Sequence, residues 1–218
     1  MRVLYRVVWI VSLLAILGMS CLFAMQPPSL PTIAPMTAYV SDDKSLALPY
    51  PGNWKPRESS AQAVSFHVAF DPNPYTHFAV DMDLAGSLMG DIARSNTSML
   101  ASIPGMPAGA VEAQKSPLEL LHEASLHGMA KNKKRFAEFA RGATQPTQIG
   151  GIDALATEFT FKQGAAWSRK EMTGTYVTLL TKDREVRVIA TCSQELQKTL
   201  KPVFDQMIAG MHLGQPGG

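Results

Sequence analysis

The chain has 218 residues, a formal net charge of +2, 17% charged residues and two cysteines. That length suits one hydrophobic core, and the near-neutral balance excludes the basic footprint of a nucleic-acid binder. Two cysteines, one of them inside an N-terminal apolar run, exclude a disulfide framework.

Arg2 and Arg6 precede residues 7–25, which carry no charge. A positive start followed by an apolar run is the form of a secretory leader. The run also approaches the roughly 20 apolar residues that span a bilayer. Residues 1–25 are therefore expected to be a signal peptide or a membrane anchor. Leu17-Gly18-Met19-Ser20-Cys21 resembles a bacterial lipobox, which would lipidate Cys21. Cleavage near Ser20 or Ala24, and retention as an anchor, are the alternative outcomes. Losing the leader removes Arg2 and Arg6, two of the 20 basic residues, and no acid, so the remainder is neutral with 18 of each sign. Pro27, Pro28, Pro31 and Pro35 make residues 26–37 an extended spacer. A single domain is expected over 38–213, with a frayed tail at 214–218.

Within the domain, Leu46, Leu48 and Tyr50 alternate toward one side, and Pro51-Gly52-Asn53 turns the chain before Trp54. Val64, Phe66, Val68 and Phe70 line one face of a strand; Phe78, Val80, Met82 and Leu84 line its hairpin partner. Pairing Phe70 with Thr76 makes the two apolar faces coincide. Residues 85–115 are rich in Gly and Pro and read as a short helix, over 90–102, followed by a mobile loop. Ser116-Pro117-Leu118-Glu119 is a capping box with Pro at the first helical position. The helix should run to about Asn132, with Leu118, Leu121, Ala124 and Met129 inward. Residues 135–141 continue the helix or form a strand; Phe136 and Phe139 fit helical spacing.

Residues 149–213 organise the fold. Leu155, Phe159 and Phe161 share one strand face, and Val186, Val188, Ala190 and Cys192 share another. Strands are expected to Lys162, over 170–181 and over 185–192, with Lys182-Asp183-Arg184 as a hairpin loop. Ser193 can cap a closing helix whose stripe is Leu196, Leu200, Val203, Phe204, Met207, Ile208 and Met211. Pro202 should kink or restart it. Alternating strands with a helix laid on them give an α+β class, an antiparallel β-sheet flanked by helices.

Several of these segments coincide in one family. Leu48-Pro49-Tyr50-Pro51-Gly52-Asn53-Trp54, Ile149-Gly150-Gly151 with Ala154, and the closing Leu200-Lys201-Pro202-Val203-Phe204-Asp205-Gln206-Met207-Ile208 resemble the PsbP/DcrB-like superfamily. The resemblance implies an α/β/α sandwich around an antiparallel sheet. It also implies a mostly non-catalytic role, as in photosystem accessory subunits, envelope lipoproteins, secretion-linked chaperones and a nuclear-transport factor. Fold alone does not select among these.

No Gly-x-Ser-x-Gly, His-Glu-x-x-His, Gly-x-x-x-x-Gly-Lys or Cys-x-x-Cys motif occurs, and no motif calls for a cofactor. His67, His77 and Asp81 fall on the non-core face of the first hairpin, where two imidazoles and a carboxylate can hold Zn²⁺ with an open position. The plainer reading is a solvated polar face. His122 and His127 read as surface residues, Cys192 as a small buried hydrophobe, and Lys131-Asn132-Lys133-Lys134-Arg135 as a solvated helix end or a contact for anionic lipid. Trp54, Tyr75 and Trp167 lie near turns. Trp167, with Arg169 and Lys170 at its rim, is the candidate anchor for a protein partner.

The main expectation is an exported or membrane-tethered, non-catalytic envelope domain that binds a protein partner and no nucleic acid. A metal-dependent enzyme using His67, His77 and Asp81 is the first alternative. A small-ligand carrier, binding between the sheet and the Ser116 helix, is the second.

Overall fold

The computed structural model describes residues 32–61, 65–83, 115–165, 168–182 and 184–214. In chain order these form β1 (Met36–Val40), β2 (Leu46–Pro51), β3 (Pro56–Ala61), β4 (Ser65–Asn73), β5 (Thr76–Asp83), α1 (Pro117–Lys131), β6 (Ala137–Ile149), β7 (Ile152–Gln163), β8 (Lys170–Leu180) and β9 (Glu185–Ser193). A 3₁₀ turn (Gln194–Leu196), α2 (Gln197–Ala209) and β10 (His212–Leu213) follow. The main sheet is seven-stranded in the order β3-β4-β5-β9-β8-β7-β6, and every pairing in it is antiparallel. A small sheet, β1-β2-β10, packs with α2 on one face, while α1 lies on the other. This is the expected α+β arrangement.

Period-two alternation sorts the side chains onto those faces. Val68, Phe70, Phe78, Val80, Val186, Val188, Ala190 and Cys192 meet Leu200, Phe204 and Met207 of α2 in the larger core. Trp54 and Leu48 join them. On the opposite face, Leu126 and Met129 of α1 pack on Phe159, Phe161, Met172 and Tyr176, with Phe136 alongside. Each large apolar side chain so buried contributes about 1.5–3 kcal/mol.

Two glycine positions are dictated by backbone geometry. Gly150 and Gly151, at φ +57° and +80°, close the β6–β7 hairpin in the two-residue turn whose central residues both need positive φ. Gly174 sits between Phe159 and Thr191 in the sheet, and a Cβ there would stand 2.7 Å from the Phe159 ring and 2.6 Å from the Ala190 carbonyl oxygen.

Three local expectations change, and one left open is decided. The first hairpin pairs Phe70 with Phe78, not Thr76, because a bulge between Phe70 and Asn73 carries β4 on to a tight turn at Pro74-Tyr75. Residues 137–149 are strand β6, the second of the two expected alternatives, although Phe136 and Phe139 fit helical spacing. Bulges between Ala137 and Ala140 and between Arg141 and Thr144 break its alternation, and Glu138 takes φ +52°. Ser193 makes no side-chain cap; the 3₁₀ turn intervenes before α2. Pro202 lies inside α2 without ending it; its missing amide would have served only the carbonyl of Lys198 in the first turn. The Ser116 capping box is present in both directions, at 3.2 Å and 2.6 Å, and α1 ends at Lys131.

The start of the domain is anchored earlier than the proline content indicates. β1 begins at Met36. The Asn53 side chain accepts from the Ala34 amide at 3.2 Å and donates to the Thr32 carbonyl at 2.5 Å. The Gly52 amide reaches the Pro35 carbonyl at 3.0 Å. Residues 32–35 are thus tied to the turn before Trp54. At the other end β10 adds to β2, and the Gly214 amide bonds the Ser45 carbonyl at 3.0 Å. No helix among the described residues is long and apolar enough to cross a membrane.

Candidate functional site

Chemistry-bearing side chains concentrate on the α1 side of the sheet, where α1 covers β6, β7 and β8. Alternation that sends Val68, Phe70, Phe78 and Val80 into the core sends His67, His77 and Asp81 outward on this face. His67 and Asp81 stand directly opposite in the β4–β5 ladder, and His67 Nδ1–H donates to Asp81 Oδ1 at 2.6 Å. The bulge re-aims Asp71 so that its Oδ1 accepts from His77 Nδ1–H at 2.5 Å, while Arg57 of β3 closes on Oδ2. Burial, reinforced by the Arg135, His67 and Arg57 charges, pushes His77 down to about 4. At neutral pH the row Arg57–Asp71–His77 is therefore a cation, an anion and a neutral imidazole.

This geometry divides the expected metal trio into two pairs. The expected register put His67 opposite Ala79, with His77 and Asp81 as its diagonal neighbours. The actual register puts His67 opposite Asp81, and His77 turns to Asp71. Among the described residues no three His, Cys, Asp or Glu side chains are placed to hold a metal ion.

Beside this row, the β4–β5 turn, β9 and the segment joining α1 to β6 enclose a cleft of about 220 Å³. Phe136, Phe161, Met172 and Ile189 supply apolar lining; Asp71, His77, Arg135 and Gln163 supply polar lining. The Arg135 guanidinium stands over the Phe136 ring at 5.4 Å. Lys170 stands 4.8 Å from the centre of the Tyr75 ring and 3.8 Å from Glu195. Arg169 is 3.5 Å from Glu138. These two cations of the expected partner rim are engaged with their own chain; Trp167 and Cys21 lie outside the described residues.

Sequence reasoning missed His122. It is fully buried, not on the surface, with its two ring nitrogens 3.0 Å from the Thr178 hydroxyl and 2.8 Å from the Thr157 hydroxyl. One ring N–H donates and the other nitrogen accepts. Thr144 extends the chain to Thr157 at 2.8 Å. Burial lowers the His122 pKa, which keeps the ring neutral and suits both bonds. The inward stripe of α1 is His122, Leu126 and Met129, whereas Ala124 is exposed. The signal was present in the spacing of four from Leu118 to His122 and again to Leu126.

Trp54 is likewise buried, its ring 6.3 Å from Phe204, instead of standing out at the turn. Tyr75 is half-buried. Cys192 is buried on the expected face, and burial pushes its thiol up to about 11.

No protein-family model and no curated protein matches the chain. Among solved structures, cyanobacterial PsbP (CyanoP) from Synechocystis sp. PCC 6803 is similar at a TM-score of 0.53 and 10% identity, over 87% of this chain and 99% of that one. PA94 from Pseudomonas aeruginosa aligns at a TM-score of 0.42 and 13% identity, over 84% of this chain and 99% of that one. LpqN from Mycobacterium tuberculosis, titled as involved in cell envelope biogenesis, aligns at 0.44 and 12%, over 83% and 91%. The antiparallel sheet between two helical layers, and its match along nearly the whole of CyanoP, give this chain a PsbP-like fold.

Proposed function

We propose that the chain is an exported, membrane-tethered accessory domain of the cell envelope, non-catalytic, that works by binding a protein partner. The observation that carries this reading is a conjunction: an export-type N-terminal segment and proline-rich spacer precede a domain with the fold of cyanobacterial PsbP. The outward His and Asp side chains of β4 and β5 support it, being tied to one another within the sheet. The partner contact is assigned to the β7–β8 hairpin tip, where Trp167 lies between β7 and the Arg169–Lys170 pair. Aromatic anchors of this kind dominate many interfaces.

Three measurements test the reading. A reporter fused after Pro35 is expected outside the cytoplasm, and palmitate is expected to label Cys21 but not Cys21→Ala. A cytoplasmic reporter defeats the export part; labelling that persists in Cys21→Ala removes the lipid anchor. The intact protein, recovered from native membranes, should bring down a stoichiometric protein that Trp167→Ala releases.

A further inference from the structure

We propose that the cleft between the β4–β5 turn, β9 and the α1–β6 connection binds a small organic anion, a carboxylate on a flat apolar body, with Arg135 as its counter-ion. This proposal does not depend on the partner-binding reading.

Two observations converge on that chemistry. The first is charge. Asp71, the only acid lining the cleft among the described residues, has both oxygens engaged, one by the His77 N–H and the other by Arg57. Arg135 makes no ion pair with any described residue. Among the described residues the uncompensated charge at the cleft is therefore that of Arg135.

The second is shape and surface. At about 220 Å³ the cleft is smaller than the roughly 300–1,000 Å³ of drug-sized pockets. Its apolar lining is mostly aromatic and thioether, with Ile189 beside them, surfaces suited to the face of a ring. The guanidinium is held against one of those rings, at Phe136, so the cation sits at the border between apolar lining and open water.

A cationic or purely apolar occupant would leave Arg135 without a counter-ion.

Isothermal titration of the full chain with benzoate, and separately with benzylamine, tests the assignment. Wild type and Lys134→Gln, which changes a neighbouring exposed cation, are expected to bind benzoate equally. Arg135→Gln is expected to weaken benzoate by about tenfold or more, the worth of a charge-assisted contact, with its melting temperature unchanged because Arg135 is exposed. Benzylamine should not bind. Absence of benzoate binding to wild type, benzoate binding that survives Arg135→Gln, or equal binding of benzylamine each overturns the proposal.

Discussion

The two faces of the seven-stranded sheet obey the same alternation and end in different chemistry. On the α2 face the aromatic rings run continuously, Tyr39 to Phe70 at 6.0 Å, Phe70 to Phe78 at 6.1 Å, Phe78 to Phe204 at 6.0 Å and Phe204 to Trp54 at 6.3 Å. On the α1 face a smaller aromatic cluster gives way to a threonine–histidine chain and then to the row of His67, Asp81, His77 and Asp71. The difference follows from coverage. Among the described residues, α2 and the small sheet roof the first face, whereas α1 lies over β6, β7 and β8. A covered face is fixed by packing, which tolerates little change; the other face can hold polar groups near water and so carry a binding site.

The sharpest way to break that contrast is to cut into each face in turn. Phe204→Ala, at the centre of the α2-face core, is expected to cost about 3–5 kcal/mol, read from the midpoint of urea unfolding. A loss below about 1 kcal/mol would mean this face is not the scaffold.

His122→Leu is expected to cost less, about 1–3 kcal/mol, because it orphans the Thr178 hydroxyl while Thr157 keeps Thr144. The same variant sharpens the comparison through pH. The folded pKa of His122 is lowered, so the unfolded chain binds more protons below about 6.5. Its stabilising contribution is full above that value and is lost as pH falls through the folded pKa. His77 acts in the same sense between about 6.5 and 4. Wild-type stability should therefore fall on acidification from pH 7, and His122→Leu should flatten the fall. An unchanged slope would show that His122 binds protons equally in the folded and unfolded chain, and a steeper fall that it enters the fold protonated.

Much of the α2 face was legible in the residues, and the reason is regularity. Val186, Val188, Ala190 and Cys192 keep strict period two; on the other face the capping box that starts α1 at Ser116 was equally legible, a local signal that tertiary packing did not override. The α1 face was harder because its signals are irregular. Phe136 and Phe139 are three apart yet both join the aromatic cluster beneath α1, since the bulge at Glu138 adds a residue between them. That spacing imitates a helix. The β4 bulge moved the hairpin register in the same way and undid the expected metal geometry. His122 was missed for another reason: its burial depends on threonines 35 and 56 residues away, which no local pattern reports.

A milder cut into the α2 face is Cys192→Ser, expected to cost about 1–3 kcal/mol through a buried hydroxyl without a partner and to leave binding unchanged. With its thiol near 11, Cys192 should react with a thiol reagent only after denaturation. Rapid labelling of the folded chain would place it on the wrong face.

The central claim is that the domain serves as a binding module at the envelope, and residue 167 tests it most directly. Trp167→Ala should leave the melting temperature nearly unchanged. With a photoreactive aromatic in place of Trp167, irradiation of the intact protein in native membranes should yield one discrete crosslinked protein on the exported side. Absence of any crosslink, or a large loss of stability in Trp167→Ala, would contradict the account, because the ring would then serve its own domain and not a partner.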